Sequence, residues 1–332
     1  MTEQLKAKIE QSKAVLRLAS EMSQHYYHKP IVICYSGGKD SDVILRLAME
    51  TLKPEEIEVL HSVTTLDSCI TNKYVNETFA ELEGKGIKAE KHIPLGKDGN
   101  PTNMWKLIAE HTMPPTRTIR YCCQILKETS TPNRVAVLGV RGGESTKRKG
   151  RDFFGVRGGS YSKATFFSFD HTAEVHREAL ERENEPNGTV WDCTLIKVMR
   201  EQKDTVVNPI YEWSDTDVWD YLKGNHYPYN PMYDKGYHRV GCIGCPMATY
   251  KQKMKEFADF PYARDMFIKA FDEMLANMKK DGKEARNGWK TGMDVYKWWI
   301  EENRYTTENQ MSLTDYETDA DGFIMRRKDE KR

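Results

Sequence analysis

The chain of 332 residues has no apolar run approaching the roughly 20 residues that a bilayer-crossing helix needs, so no membrane-spanning helix is expected. It has no excess of charge: 50 Lys plus Arg balance 50 Asp plus Glu. That balance removes a global pull toward nucleic acid or membrane and leaves only local patches to consider. The first residues, MTEQLKAKIEQSKAVLRLA, lack the apolar stretch of a secretory leader and read as an amphipathic helix of mixed charge. The expected location is the cytoplasm. Seven cysteines, an odd number in a long chain, argue against a disulfide framework. No internal repeat marks a solenoid, and the spacer of a G-x-x-x-x-G-K-[ST] phosphate loop is missing.

What is present is enough apolar material for a sizeable core, 39% hydrophobic and 11% aromatic. Short β-branched runs alternate with segments of helical spacing. Pro30–Tyr35, Ile57–Val63, Lys88–Pro94, Arg134–Val140 and Val206–Ile210 read as strands. Residues 4–27, Asp40–Leu52, Thr71–Gly84, Met104–His111 and Asp215–Leu222 read as helices, followed by helices after Tyr262. The alternation predicts an α/β fold with a doubly wound, mainly parallel sheet and a helical C-terminal extension. The expected division is an N-terminal helix at 1–28, a sheet domain at 29–250, and an extension at 251–332 ending in a frayed charged tail. Residues 146–170, rich in basic residues, Gly and Ser, read as a mobile loop or lid. Its interleaved arginines and aromatics also suit a nucleic-acid surface.

The chemistry concentrates in Ser36-Gly37-Gly38-Lys39-Asp40-Ser41, between a strand and a helix. Glycines there let backbone N–H groups approach an anion, and the helix adds the positive end of its dipole. Ser36 and Ser41 supply hydroxyls and Lys39 a cation. Asp40 repels phosphate, so its role is to orient Lys39 or to hold Mg²⁺. A second cluster, Arg141, Glu144, Arg148 and Arg151, follows the strand that ends at Val140.

The block SGGKDS resembles the PP-loop of ATP pyrophosphatases, of the adenine nucleotide α-hydrolase-like fold. Gly139-Val140-Arg141-Gly142-Gly143-Glu144-Ser145 with Arg148 resembles a block of the phosphoadenosine phosphosulfate (PAPS) reductase family. The segments Asn208–Trp219 and Asn230–Cys242 resemble further blocks of that family, with Trp213 and Trp219 expected to pack the core. The resemblance implies ATP as substrate and Mg²⁺ as cofactor. It implies nucleotide contacts from Ser36, Gly37, Gly38, Lys39, Asp40, Ser41, Arg141, Glu144 and Arg148, with Lys39, Asp40 and Arg141 in catalysis.

Cys122-Cys123 and Cys242-x-x-Cys245 resemble the [4Fe–4S] ligands of adenylyl-sulfate (APS) reductases in the same family. Zinc is the alternative for four thiolates, and redox thiols a third. The chain departs from the reductases in having no cysteine after Cys245, so a tail thiolate is missing. It keeps a complete SGGKDS, which suits a triphosphate. This pattern is closest to ATP-using members with cluster cysteines, such as DNA phosphorothioation enzymes. The resemblance therefore implies adenylylation of an acceptor, with pyrophosphate release, for sulfur transfer. A nucleic acid is one candidate acceptor, and a cysteine desulfurase one candidate sulfur donor. An APS or PAPS reductase lacking its tail cysteine, and a non-catalytic nucleotide-binding subunit of a modification complex, remain alternatives.

Overall fold

The computed structural model describes residues 1–145, 148–156, 165–183, 194–285 and 288–308, with short strands at 316–318 and 324–326. In chain order the elements begin with α1 (Glu3–Tyr27), β1 (Ile31–Cys34), α2 (Lys39–Thr51), β2 (Ile57–Ser62), α3 (Cys69–Gly84), β3 (Lys88–His92) and α4 (Met104–Glu110). Next come α5 (Tyr121–Cys123), which runs into a π-turn at Gln124–Glu128, and then β4 (Val135–Val137), β5 (Phe154–Val156), β6 (Thr165–Phe167) and α6 (Phe169–Glu183). The remainder is α7 (Thr194–Arg200), β7 (Thr205–Val207), α8 (Asp215–Gly224), α9 (Tyr250–Asp259), α10 (Pro261–Lys280), α11 (Gly292–Glu308), β8 (Tyr316–Thr318) and β9 (Ile324–Arg326).

The chain forms two compact units. The first comprises residues 1–103 and 122–242, the second 104–121 and 243–332. In the first, seven strands run in the order β3-β2-β1-β4-β7-β5-β6. The first five are mutually parallel, and β5 pairs antiparallel with both β7 and β6. Central strands such as Ile31–Ile33 and Val135–Val137 are buried along their length, as apolar runs covered on both faces must be. This is the expected α/β sheet, with its order reversing between β1 and β4.

Local signals explain the helix starts that matter. Thr2 caps α1 by accepting from the Leu5 N–H, and α1 buries Val15, Leu16, Ala19 and Met22. It is tied to the sheet domain by Ser12, whose hydroxyl donates to the Pro209 carbonyl at 2.7 Å and accepts from Trp213 Nε1 at 3.0 Å. Trp213 is thus core, as expected. Ser214 caps α8 in a capping box with Asp217, with Asp215 and Asp217 in the first turn.

The structure corrects one expectation. Within 146–170, expected as a loop, Phe154–Val156 and Thr165–Phe167 are strands that extend the sheet antiparallel; residues 157–164 lie outside the described residues. A Cβ on Gly155 would meet the Phe166 ring at 2.6 Å, so the glycine that signals a loop here lets an aromatic lie flat on the strand. Toward the C-terminus, Tyr316–Thr318 pairs antiparallel with Ile324–Arg326.

The second unit packs α4, α9, α10 and α11 around Trp299, which is fully buried against Phe267 and Phe271. Trp299 Nε1 donates to the Pro115 carbonyl at 2.7 Å, and the buried Lys253 ammonium sits 4.1 Å from its ring centroid.

Candidate functional site

The loop after β1 and the loop after β4 lie side by side at the carboxyl ends of the two strands between which the sheet order reverses. That is where open α/β sheets hold ligands. Gly139 makes the approach: a Cβ there would stand 3.0 Å from the Asp40 Cβ. Gly37 has φ +72°, and a Cβ on it would meet Val75 of α3 at 3.0 Å. Its carbonyl accepts from Asn230 Nδ2 at 2.8 Å, so the bend is clamped by a residue 193 positions away in sequence.

The donors of the bend are turned toward oxygen. Gly38 N–H lies 3.2 Å from Ser41 Oγ and 3.4 Å from Ser36 Oγ, and Lys39 N–H donates to the Tyr233 hydroxyl at 2.9 Å. These weak hydroxyl acceptors are the kind an anion's oxygens replace. Ser36 is exposed at the mouth of the bend, while Gly37, Gly38, Lys39 and Ser41 are buried.

Two cations stand over it. Lys39, 5% exposed, places Nζ 2.8 Å from Asp215 Oδ1 and 3.6 Å from Asp40 Oδ2. Arg141, also 5% exposed, donates from Nε to Asp40 Oδ1 at 2.8 Å and from Nη2 to Asp215 Oδ1 at 3.0 Å. Partial burial would raise the Asp215 carboxyl, but the Lys39 hydrogen bond and the charges of Lys39 and Arg141 bring it below its ordinary value. Glu144 lies 3.9 Å from Arg141 Nη2 and also pairs with Arg148. Burial, then the charges of Arg239 and Arg151, lower the Arg148 guanidinium. Arg151 stacks over the Phe166 ring at 5.7 Å. The structure thus gathers Lys39, Asp40, Arg141, Glu144 and Arg148.

Beside the bend opens a cavity of about 200 Å³ among the carboxyl ends of β1, β2 and β4. Ser36, Cys34, His61, Thr64, Asp67 and Lys127 contribute to its wall. Cys34 is half-buried at the cavity edge. Asp42, one turn into α2, is buried beneath the bend and accepts from the Tyr35 hydroxyl at 2.6 Å. Burial pushes its carboxyl up to about 7, against the opposing Tyr35 and Tyr74 hydroxyls.

The cysteines give a different picture. Cys122 is buried and Cys123 half-buried at α5; Cys242 donates to Thr64 Oγ1 at 3.4 Å; Cys245 is half-buried in the second unit. A cluster requires convergent thiolates. Among the described residues no group of three or more His, Cys, Asp or Glu side chains converges as metal ligands do. An iron–sulfur cluster or a Cys₄ zinc ion on these thiols is therefore not shown among the described residues. Cys69 is exposed at the start of α3, and Cys193 lies outside the described residues.

Asp215 is not singled out by sequence, while Asn230 and Tyr233 lie in the Asn230–Cys242 segment that resembles a family block, a resemblance that gives them no place at the bend. The acidic start of α8 was legible for Asp215, but as a helix-dipole signal and not as a partner of Lys39.

A parallel sheet with a glycine bend, a lysine and an arginine at its switch point defines an α/β domain built to hold a phosphate-bearing ligand. A model of the phosphoadenosine phosphosulfate reductase domain matches residues 30–248. The chain belongs to this PAPS reductase family, within the PP-loop superfamily. Two uncharacterized proteins of Methanocaldococcus jannaschii align at 29% identity over 234 residues and 26% over 248, covering 70% and 75% of this chain. The chain spans only 39% and 47% of those relatives. An adenosine 5'-phosphosulfate reductase of Oceanobacillus iheyensis is 46% identical over 43 residues, 13% of this chain and 18% of that protein. Among solved structures, a PAPS reductase from Candida auris in complex with phosphate aligns over 73% of this chain and 96% of its own, at 14% identity and a TM-score of 0.39. Among the described residues no helix is long and apolar enough to cross a membrane.

Proposed function

We propose that this nucleotide-using enzyme binds ATP across the β1/β4 switch point and transfers the adenylyl group to an acceptor, releasing pyrophosphate, as the activating half of a sulfur transfer. The observation that carries this reading is the convergence of Lys39 Nζ and Arg141 Nη2 on one carboxylate oxygen of Asp215, beside the Ser36–Ser41 bend. Two buried cations held within hydrogen-bond reach of one oxygen position are placed to receive a phosphate oxygen there instead.

In the first step an acceptor oxygen attacks the α-phosphorus. The bond from that phosphorus to the α–β bridging oxygen breaks, and the electron pair leaves on pyrophosphate. Negative charge grows on the departing diphosphate, where the bend N–H groups, Lys39 and Arg141 are already aimed and need no reorganisation. Asp40 holds Arg141 in position. Asp40 is the carboxylate of the bend itself and would hold Mg²⁺, since sites of this kind take one or two carboxylates plus phosphate oxygens. Mg²⁺, when bound, draws charge from the phosphate oxygens. In the second step a sulfur nucleophile attacks the acceptor atom, and AMP leaves with the oxygen. The acceptor is a nucleic acid or a small molecule, with a cysteine desulfurase as one class of sulfur source.

Product identity tests the first step: ATP cut here gives AMP and pyrophosphate, whereas ADP and orthophosphate overturn the reading. The local similarity to an APS reductase favours a second reading, reduction of an adenylylated sulfate with an external thiol. Sulfite release from APS or PAPS, without turnover of ATP, decides for it. Nucleotide binding without any turnover assigns the chain instead to a non-catalytic subunit.

A further inference from the structure

The helix that begins at the phosphate bend, α2, ends beside a second cavity of about 270 Å³. Three helix ends build its wall. Arg46, Met49 and Glu50 of α2 stand three and four residues apart and share one face of the helix. α3 stops in a Schellman turn: Gly86, at φ +73°, lets its own N–H reach the Glu83 carbonyl and the Ile87 N–H reach the Leu82 carbonyl, both at 3.0 Å. That turn brings Lys85 and Ile87 to the cavity. α8 stops in the same way, with His226 at φ +55° and the Tyr227 N–H donating to the Leu222 carbonyl at 2.9 Å, and it contributes Tyr227.

Donors and acceptors do not balance in this wall. Glu50 is already engaged: Oε1 accepts from the Tyr221 and Tyr227 hydroxyls at 2.5 and 2.8 Å, and Oε2 pairs with Lys13 at 2.9 Å. Arg46, 7% exposed, donates from Nη1 and Nη2 to the two oxygens of Glu81 at 2.5 and 2.8 Å. Those are the hydrogen bonds of its side chain among the described residues. A guanidinium has five N–H groups, so three of them, Nε–H included, remain for another acceptor. Its carbon lies 5.5 Å from the Tyr227 ring centroid, which keeps the group against the cavity wall. Lys85, exposed, donates to the same Glu81 at 2.8 Å and has two further N–H groups. The Arg46 hydrogen bond, more than that of Lys85, brings the Glu81 carboxyl down to about 2. Around the cavity three cations thus face two carboxylates.

We infer that this cavity binds a small organic carboxylate with an apolar body, held by Arg46 and Lys85. A carboxylate offers acceptors and no donor, which is what the surplus N–H groups require. Met49, Leu52 and Ile87 supply the apolar part of the wall for the body of the ligand. An ammonium group in the same place meets two cations and a carboxylate whose oxygens are already engaged. The volume lies just below the roughly 300–1,000 Å³ of sites for drug-sized molecules, so the ligand is small. The site stands apart from the phosphate bend, at the other end of α2, and does not depend on what the bend holds.

The experiment is ligand-observed NMR on the full chain with 3-phenylpropanoate, using 3-phenylpropanamide and 3-phenylpropan-1-amine as the neutral and cationic counterparts. The wild type is expected to bind the carboxylate saturably and at least about 10-fold more tightly than either counterpart. Arg46→Lys and Lys85→Gln are each expected to weaken that binding about 10-fold, with the circular-dichroism melt within a few degrees of wild type. Lys85 is exposed, so Lys85→Gln keeps the test decisive if Arg46→Lys does not fold. Saturating pyrophosphate is expected to leave the carboxylate bound. No binding, equal binding of the three probes, or undiminished binding in both folded variants overturns the site. Displacement by pyrophosphate assigns the carboxylate to the phosphate bend and overturns it as well. Displacement by inorganic phosphate at equal concentration overturns the carboxylate class.

Discussion

Asp215 Oδ1 lies 2.8 Å from Lys39 Nζ and 3.0 Å from Arg141 Nη2, so one exposed carboxylate holds both buried cations of the phosphate bend. A carboxylate in that position competes with any incoming anion. Asp215→Asn removes the negative charge while keeping the helix start. Pyrophosphate affinity, measured by calorimetry at low salt, is expected to rise about 3- to 10-fold, as about 1 kcal/mol of competing ion pairing disappears. Weaker binding in the variant means that Asp215 positions the cations and does not compete with the ligand.

Arg141 also donates to Asp40 Oδ1 at 2.8 Å. If Asp40 serves to hold the guanidinium, Arg141→Lys does not substitute for it, because a point charge cannot make both the Nε and the Nη2 bonds. Turnover is expected to fall about 100-fold in Arg141→Lys, with the melt within a few degrees of wild type. Near-normal turnover shows that charge alone suffices there.

Asp42 makes stability depend on pH. Burial lifts its carboxyl from the ordinary 3.8 to about 7 in the folded chain. The folded state therefore keeps a proton that the unfolded chain gives up. The associated stabilisation is complete below pH 3.8 and fades as pH rises through about 7. At full extent it is on the order of 4 kcal/mol. Asp42→Asn keeps the acceptor for the Tyr35 hydroxyl but cannot titrate. Its melting temperature is expected to vary less between about pH 4 and pH 8 than that of the wild type. Parallel profiles for the two proteins contradict the assignment.

In the second unit, Trp299→Ala removes a fully buried ring, its bond to the Pro115 carbonyl and the surface beneath Lys253. A loss of about 3–5 kcal/mol is expected in denaturant unfolding, enough to melt this unit ahead of the sheet domain. A single unchanged transition contradicts it.

These sites were unevenly legible in the sequence. Ser36–Ser41 and Arg141 are readable because each follows a β-branched strand directly, so local pattern alone puts them at a strand end. The place of Asp215, Asn230 and Tyr233 at the bend is not, because they meet it from 176, 193 and 194 residues away in sequence, although Asn230 and Tyr233 stand in a segment that resembles a family block. Gly155 misled because a glycine under an aromatic ring reads, in one dimension, like a loop. The cysteine pairs were conspicuous in sequence, yet spacing carries no information on whether four sulfurs converge in space.

The central claim, that the bend after β1 holds the departing diphosphate of ATP, is tested most directly by pyrophosphate release from ATP in the presence of candidate acceptors, comparing wild type with Lys39→Ala. The account predicts acceptor-dependent release by the wild type and a fall of at least about 100-fold in the variant, with the melt preserved. Undiminished release by a folded Lys39→Ala contradicts it.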